Sequence, residues 1–379
     1  MEWLDAIQWD HPAIVAATGA AVGGIFLIAA AILKRKKQPG GGANSITTTV
    51  SPDITVSPQI DTSFKVGLDE EAMGKELSKA LDPLSARIDA LSEQVAAQLA
   101  PKQPVPDSGD PLKVKAVEFF NDGVDAYHEG KIGQALGHWL DALQLDPDDA
   151  AAHINLGNAL QAKGELDAGI EHFNAALRIE PDNAVAHYNL GNALQAKGEL
   201  DPAIEHWSAA LRIDPDLAAA HNNLGLALKA KGELDAAIEQ YNAALLIDPD
   251  FADAHNNLGI ALKAKGDLVA AIVHHDAALR IDPEHAGAHN NLGNALRAKG
   301  ELDAAIEQYN AAIRINPKIA GCHNNLAKVL ALKKDAAAAV AALAKAIELD
   351  PRCRAEARSD TDYDPIRDDP AFRKLVDAE

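Results

Sequence analysis

The pentapeptide HNNLG occurs at residues 221–225, 255–259 and 289–293, and close variants begin at His153, His187 and His323. Successive copies start 34 residues apart. Prolines recur with the same step, at Pro147, Pro181, Pro215, Pro249, Pro283, Pro317 and Pro351. A fixed period of this length indicates a stack of similar supersecondary units.

Each unit has the pattern of two helices. In residues 218–251, apolar side chains recur at the spacings of amphipathic helices. Gly232 is placed to end a first helix after Lys231, and Asp235 is placed to cap a second one. In the preceding unit Asp201 and Pro202 occupy the matching positions, with proline as the first helical residue. The sequence therefore predicts antiparallel helix pairs.

Eight positions repeat in phase within these units. In the unit from residue 184 they are His187, Leu190, Gly191, Leu194, Ala203, Trp207, Ala210 and Pro215. This pattern resembles tetratricopeptide repeats, and the resemblance covers seven units over residues 116–353. It implies an all-α fold, a right-handed superhelical solenoid of antiparallel helix pairs whose first helices line a concave face. The first and last units depart from the pattern, as end units of an open stack do. Residues 354–379 are expected to cap the stack.

Asparagine is a poor helix former, yet one stands immediately before the first leucine in six units. A helical step of about 100° carries these side chains off the core stripe. The resemblance implies an asparagine ladder that holds the backbone of an extended peptide, because an amide offers both donors and an acceptor. The alternative is that duplication of the repeat carried them along. The row comprises Asn155, Asn189, Asn223, Asn257, Asn291 and Asn325.

A second row lies one turn later on the same face. Asn158, Asn192 and Asn294 extend the asparagines, whereas Leu226 and Ile260 replace them in mid-array and predict an apolar pocket. Further along, a third row changes from glutamine to cations, so the C-terminal half of the groove should favour a carboxylate. These predicted peptide-binding cations are Lys229, Lys263 and Arg297.

The N-terminal region predicts a membrane anchor. Residues 12–33 are uncharged and long enough to cross about 30 Å of hydrocarbon as a helix. Acidic residues precede this segment and Lys34 to Lys37 follow it, which predicts residues 1–11 outside and the repeats in the cytoplasm. A cleaved signal peptide is the alternative, but it requires a basic N-terminal flank. We expect a single-pass protein of a bacterial inner membrane.

Two segments separate the anchor from the repeats. Residues 34–65 are rich in Gly, Pro, Ser and Thr and predict a flexible linker. Residues 66–100 contain four apolar residues at heptad spacing, which favours a lone amphipathic helix or a short coiled coil. Residues 101–115 begin PKQPVP and predict a second linker.

Composition excludes several classes of function. The 379 residues carry a net charge of −21, which disfavours nucleic acid as a partner. The two cysteines, Cys322 and Cys353, provide no disulfide framework. Histidines on successive repeats lie about 10 Å or more apart, too far to share a metal ion, so they are expected to fill a packing slot. We expect no cofactor, no metal and no enzymatic activity. The enzymatic alternative resembles the repeat arm of a glycosyltransferase.

The leading hypothesis is a membrane-anchored scaffold that binds an extended protein or peptide partner in its groove. The alternative is a homo-oligomeric scaffold that assembles through its own repeats. The hypothesis requires the asparagine face to be open to a partner, and it fails if the protein's own linker or tail fills that face. Replacing Asn223, Asn257 and Asn291 with alanine is expected to keep or raise helicity while weakening partner capture.

Overall fold

The computed structural model describes residues 99–105 and 110–377. The predicted transmembrane segment 12–33, the residues before it, the linker 34–65 and nearly all of segment 66–100 lie outside the described residues. Within the described part of the chain, no helix combines the length and the apolar composition that crossing a membrane requires.

The described residues form 16 α-helices and one 3-10 helix, with no β-strand. The first 14 α-helices follow the order of seven repeats, and the two helices pack together in repeats 1 and 3 to 7, which confirms the predicted all-α solenoid of helix pairs. In order, the repeats are α1 (Pro111–His128) with α2 (Ile132–Leu145), α3 (Ala150–Ala162) with α4 (Leu166–Ile179), α5 (Ala184–Ala196) with α6 (Leu200–Ile213), α7 (Ala218–Ala230) with α8 (Leu234–Ile247), α9 (Ala252–Ala264) with α10 (Leu268–Ile281), α11 (Ala286–Lys299) with α12 (Leu302–Ile315), and α13 (Ala320–Leu332) with α14 (Ala336–Leu349).

The chain divides into two compact units, Met1–Gly169 and Ile170–Glu379, with the boundary inside α4. The described part of the first unit contains repeat 1 and α3, and its core gathers Phe120, Trp139 and Leu156. The second unit contains repeats 3 to 7 and the C-terminal tail. Its core is a series of small clusters between successive helices.

Glycines end the first helices as the sequence predicts. In repeat 4 the helix ends at Ala230, Lys231 is the C-cap, and Gly232 has a φ of 83°. The predicted starts of the second helices were wrong, because the N-cap of α8 is Glu233 rather than Asp235. One left-handed glycine suffices to reverse the chain, so the second helix begins two residues after it.

An aromatic ring lies against the glycine of the first helix in repeats 1, 3, 4, 5 and 6. A Cβ atom on Gly191 would lie 2.6 Å from Trp207 Nε1, and one on Gly225 would lie 2.6 Å from Tyr241 Cε1. Because contacts this short are sterically forbidden, only glycine lets the two helices of a repeat pack so closely.

The C-terminal tail closes the second unit. It consists of α15 (Arg352–Ser359), a 3-10 helix (Thr361–Ile366) and α16 (Pro370–Asp377). Tyr363, Phe372 and Val376 are buried against Leu343 of the last repeat. The tail therefore covers apolar surface that a following repeat would otherwise bury.

Candidate functional site

The predicted asparagine row links neighbouring repeats in the second unit. The Nδ2 of Asn257 donates to the Oδ1 of Asn222 at 2.9 Å, and the Nδ2 of Asn291 donates to the Oδ1 of Asn256 at 3.0 Å. Each bond joins a first helix to the first helix of the preceding repeat. The same bond, spanning 35 residues and 3.0 Å long, joins Asn325 to Asn290.

These bonds use only part of each amide. Asn257, Asn291 and Asn325 are half-buried, and each donates one N–H to the preceding repeat. Within the described residues, no donor is bonded to the Oδ1 of these three side chains. One N–H and the acceptor oxygen of each side chain therefore remain available to a ligand.

In the first unit, two asparagines hold peptide groups of the chain's own segment 99–105. The Oδ1 of Asn155 accepts from Ala100 N at 2.7 Å, and its Nδ2 donates to Ala100 O at 3.3 Å. Asn121 makes the same two contacts with Gln103, both at 2.9 Å. Leu99 is buried in the core of this unit. Each asparagine thus pairs with both polar atoms of one residue's backbone.

Sequence reasoning missed Asn121, although it stands 34 residues before Asn155 and so continues the predicted row. The surrounding unit lacks the histidine and the leucine-glycine pair of the later repeats, because Phe119, Asp122 and Gly123 occupy those positions. The 34-residue step alone would have identified it.

Two asparagines of the second predicted row form hydrogen bonds to buried aromatic side chains. The Oδ1 of Asn192 accepts from Trp207 Nε1 at 3.0 Å, and the Oδ1 of Asn294 accepts from the hydroxyl of Tyr309 at 2.9 Å. Asn192 also accepts from the Nδ2 of Asn223 at 3.0 Å. These asparagines satisfy the polar atoms of buried aromatic side chains, which is a structural role.

The remaining asparagines of the two rows are buried. Asn155, Asn158 and Asn189 are 0%, 8% and 1% exposed, respectively. Asn155 is therefore covered in part by the segment that it holds.

The apolar replacements in mid-array leave buried polar atoms unpaired. Within the described residues, the hydroxyl of Tyr241 and both ring nitrogens of His275 have no hydrogen-bond partner. These rings lie in the repeats where Leu226 and Ile260 replace asparagine. A pocket of about 220 Å³ opens at this point, with Ile260, Lys263, His275 and Asn291 in its wall. Burial lowers the pKa of His275 to about 4, so its ring is neutral near pH 7.

Of the three predicted cations, one has an acidic partner and two have none among the described residues. Arg297 forms an ion pair with Asp362 of the tail. Lys229 and Lys263 are half-buried, and no described carboxylate pairs with either. Burial lowers the pKa of Lys229, and burial together with the charge of Arg297 lowers that of Lys263. An incoming carboxylate would relieve this unfavourable environment.

The repeat histidines have a structural contact in common. The Nε2 of His221 lies 3.2 Å from Pro215 O, and the Nε2 of His289 lies 3.1 Å from Pro283 O. Each ring thus ties the start of a first helix to the turn before it. The described residues contain no group of three or more side chains suited to hold a metal ion.

Comparison with known proteins shows the family. A family model described as TPR repeat matches residues 123–164, 157–198, 191–232, 225–266 and 293–334, and one described as tetratricopeptide repeat matches residues 320–353. No curated protein matches the chain.

Several solved structures are similar. The crystal structure of YrrB, described as a TPR protein with an unusual peptide-binding site, is 28% identical over 49% of this chain and 92% of its own, with a TM-score of 0.40. A tetratricopeptide repeat protein from Parabacteroides merdae is 15% identical over 69% of this chain and 98% of its own, with a TM-score of 0.51. The APC/C hetero-tetramer Cut9-Hcn1 is 19% identical over 71% of this chain and 49% of its own, with a TM-score of 0.54.

The last two likenesses concern the fold alone. The family models, by contrast, match more than half of the chain, and their boundaries follow the same 34-residue step as the helix pairs. The chain belongs to the tetratricopeptide repeat family.

Proposed function

We propose that the chain binds an extended segment of a partner protein along the first helices of repeats 4 to 6. The family's repeats are scaffolds for protein–protein interaction, typically without enzymatic activity. The finer assignment rests on this chain's own side chains. In it, asparagine amides hold the peptide groups of the partner, and lysines of the same face select its side chains.

The contact between segment 99–105 and the first unit carries this proposal. There, Asn121 and Asn155 each bond both the N–H and the carbonyl of one residue in segment 99–105. Recognition of this kind depends on backbone atoms and tolerates many sequences. Asn257 and Asn291 stand at the same repeat position with an acceptor and one N–H still available.

The first unit is not proposed as a site for a partner. Its asparagines already hold the chain's own residues, and Leu99 is buried beneath them. A partner would have to displace that segment and expose Leu99 to water, which costs about 1.5–3 kcal/mol for a fully buried leucine. Binding of a partner at Asn257 and Asn291 of the second unit requires no such displacement.

The partner is proposed to carry carboxylates. Lys229 and Lys263 are half-buried and have no carboxylate partner among the described residues, whereas Arg297 forms an ion pair with Asp362. A glutamate or aspartate of the partner would pair with a lysine, and an adjacent apolar side chain would enter the pocket beside Ile260. The expected ligand is therefore an acidic, extended segment with an apolar residue.

Photocrosslinking in cells that make the protein tests this proposal. A photoreactive residue replaces Asn257 in the full chain, and mass spectrometry maps what it captures. We expect an acidic segment of another protein, with capture reduced several-fold by Lys263→Glu. Lys299→Glu is the matched control, because Lys299 is exposed and pairs with Glu301 on the neighbouring turn. Crosslinks confined to the chain itself would contradict the proposal.

Anchoring in a membrane remains part of the proposal. Residues 12–33 are proposed to span a bacterial inner membrane with the repeats in the cytoplasm, on the strength of the flanking charges. Protease added outside intact spheroplasts should leave the repeats uncut. Digestion of the repeats under those conditions would overturn the proposed orientation.

Self-assembly is a second candidate function, and one observation favours it. Segment 99–105 binds a face that every copy of the chain carries, so exchange of this segment between copies would link them. Light scattering on the purified chain should then show a mass that rises with concentration in wild type and falls in Asn121→Ala/Asn155→Ala. A concentration-independent monomer mass would exclude this candidate.

A further inference from the structure

The repeat histidines also contact side chains of the second helix, and these contacts involve no asparagine of the row. In repeats 3 and 5, the histidine of the first helix meets another histidine 19 residues later, on the second helix. The two Nδ1 atoms are 2.9 Å apart in the His187–His206 pair and 3.0 Å apart in the His255–His274 pair. The ring centroids are 5.2 Å apart in both pairs.

Repeats 4 and 6 provide natural counterparts. Gln240 and Gln308 stand where the second histidine would be, and each lies 2.7 Å from the Nδ1 of its repeat histidine. An amide therefore occupies the place of the second imidazole and contacts the same ring nitrogen. Only the paired imidazoles place two ligating nitrogens side by side.

The first ring of each pair is held in the tautomer that a metal requires. The Nε2 of His187 lies 3.1 Å from Pro181 O, and the Nε2 of His255 lies 3.2 Å from Pro249 O. Because a carbonyl only accepts, Nε2 donates to it, and Nδ1 of the same ring is left to accept a hydrogen bond from Nδ1 of the second ring. Metal-binding histidines are commonly oriented by this kind of bond from the remote nitrogen.

The spacing of the two nitrogens suits a shared cation. An ion about 2.0–2.1 Å from both Nδ1 atoms would see them at an angle of about 90°. This angle is the cis arrangement of tetragonal Cu²⁺ or Ni²⁺ sites, whereas tetrahedral zinc needs nitrogens about 3.3 Å apart. Metal binding would displace the proton that the second ring donates between the two Nδ1 atoms, and it would turn each electron pair by about 45° from the line between the nitrogens toward the ion.

The surroundings of the pairs favour the uncharged form of the second ring and leave room for further ligands. Burial, followed by the facing histidine, lowers the pKa of His206 and of His274. A cavity of about 460 Å³ opens beside His187 and His206, with Arg178 also in its wall. It has room for the water or anionic ligand that would complete the coordination.

We propose that the His187–His206 and His255–His274 pairs are two equivalent chelating sites for a late first-row divalent cation, best matched to Cu²⁺ or Ni²⁺. The protein supplies two nitrogens at each site. The other coordination positions belong to water or to an exogenous ligand. This inference is independent of the proposed peptide binding, because neither pair includes an asparagine of the row.

Calorimetric titration of the full chain with CuCl₂ near pH 7 tests the proposal. Because the chain has 14 histidines, the informative quantity is the difference in stoichiometry between variants. His206→Gln and His274→Gln should each remove one ion, and the double variant should remove two. Both substitutions introduce the residue already present at 240 and 308, so the fold should be unchanged by circular dichroism. Equal stoichiometry in wild type and double variant would mean adventitious binding and would overturn the proposal.

The glutamine repeats allow a gain-of-function test. Gln240→His creates a further pair opposite His221 and should add one ion. Electron paramagnetic resonance of the bound Cu²⁺ should show coupling to two protein nitrogens at each site. If Gln240→His binds no additional ion, the paired geometry is not what holds the metal, and the proposal fails.

Discussion

Asn257 contributes to stability through one bond to the preceding repeat. Asparagine costs a helix about 0.5 kcal/mol relative to alanine. The bond to Asn222 contributes about 0.5–1.5 kcal/mol and also satisfies an acceptor on a side chain that is 6% exposed. The hydrogen bond outweighs the unfavourable propensity, so the row is structural even without a ligand.

We therefore predict that Asn257→Ala lowers the free energy of unfolding by about 1 kcal/mol, since the loss of the bond exceeds the gain in helix propensity. The sequence alone led to the opposite expectation for Asn223, Asn257 and Asn291. Urea denaturation followed by circular dichroism measures the change. Asn242→Ala is the control, because Asn242 is exposed on a second helix and should change stability by less than about 0.5 kcal/mol. An unchanged or raised midpoint for Asn257→Ala would contradict this account.

His275 should make stability depend on pH. Its pKa falls from 6.5 to about 4 on folding, mainly through burial. The unfolded chain therefore takes up a proton first as the pH falls, and stability present above pH 6.5 is lost progressively between pH 6.5 and pH 4. At pH 5 the loss amounts to about 2 kcal/mol.

The variant His275→Tyr should remove this part of the pH dependence. Tyrosine occupies the same slot in repeats 4 and 6, as Tyr241 and Tyr309, so the packing is compatible. Urea midpoints at pH 7 and pH 5 should differ by about 2 kcal/mol less in the variant than in wild type. Equal pH shifts in the two proteins would rule out His275 as the source.

For single residues, the sequence predicted the positions of the asparagines in the row better than their hydrogen-bond partners. It placed Asn257 and Asn291 in one row off the core stripe, and binding of a peptide by that row stays a prediction. The acceptors Asn222 and Asn256 could not be recognised, because their bonds span 35 residues and depend on how closely successive first helices pack. Asn121 was missed because its unit lacks the other motif residues.

Among the helices, the repeat period determined the pairs but not all of their ends. The first helix begins at Pro111, with the Asp110 side chain accepting from Leu112 N at 3.0 Å. The repeat pattern places the first unit at residue 116, because a cap and a proline before the first repeat lie outside the 34-residue period. The two-residue error at the start of α8 has a different cause, because the chain reverses at Gly232 alone.

Lys334 offers a test of the helix-ending conformation. Its φ of 63° is the only positive value at a non-glycine residue in the described chain, and glycines take this place in the six earlier repeats. We predict that Lys334→Gly stabilises the protein by about 1 kcal/mol, because glycine adopts this backbone without steric cost. Thermal unfolding measures the effect.

The converse substitution is the control. Gly232 has a φ of 83°, and a Cβ atom there would meet nothing within 4 Å. Gly232→Ala should therefore destabilise the protein by about 1 kcal/mol through the backbone alone. If both variants shifted the unfolding temperature in the same direction, the conformational explanation would be wrong.

For the molecule as a whole, the C-terminal tail makes the contacts with the last repeat that an eighth repeat would make. The hydroxyl of Tyr363 donates to the Oδ1 of Asn324 at 2.8 Å, where the next asparagine of the row would otherwise donate. Asp360 and Asp362 bind Lys328 and Arg297 on the same face. The tail thus caps the core and occupies the C-terminal end of the candidate site.

We predict that Tyr363→Phe destabilises the last repeat by about 1–3 kcal/mol, because the Oδ1 of the buried Asn324 loses its donor. Repeats are coupled mainly to their neighbours, so the effect should be local. Hydrogen exchange should accelerate in α13 and α14 while α5 and α6 serve as the internal control. Uniform acceleration across these helices would contradict local coupling.

The solenoid of helix pairs could be predicted for the molecule, whereas the occupancy of its faces could not. Segment 99–105 and the acidic tail lie outside the repeating pattern, and nothing in their own sequences indicates that Asn155 or Arg297 would bind them. Their placement depends on distances that only the folded chain provides.

The asparagine bond between repeats has an evolutionary consequence. Because Asn257, Asn291 and Asn325 each bond to the asparagine 35 residues earlier, three successive junctions have the same chemistry. Unequal recombination that inserts or deletes one 34-residue repeat among repeats 4 to 7 leaves a junction with the same asparagine bond. Arrays of different length can therefore arise in a single genetic step without passing through an unfolded ancestor.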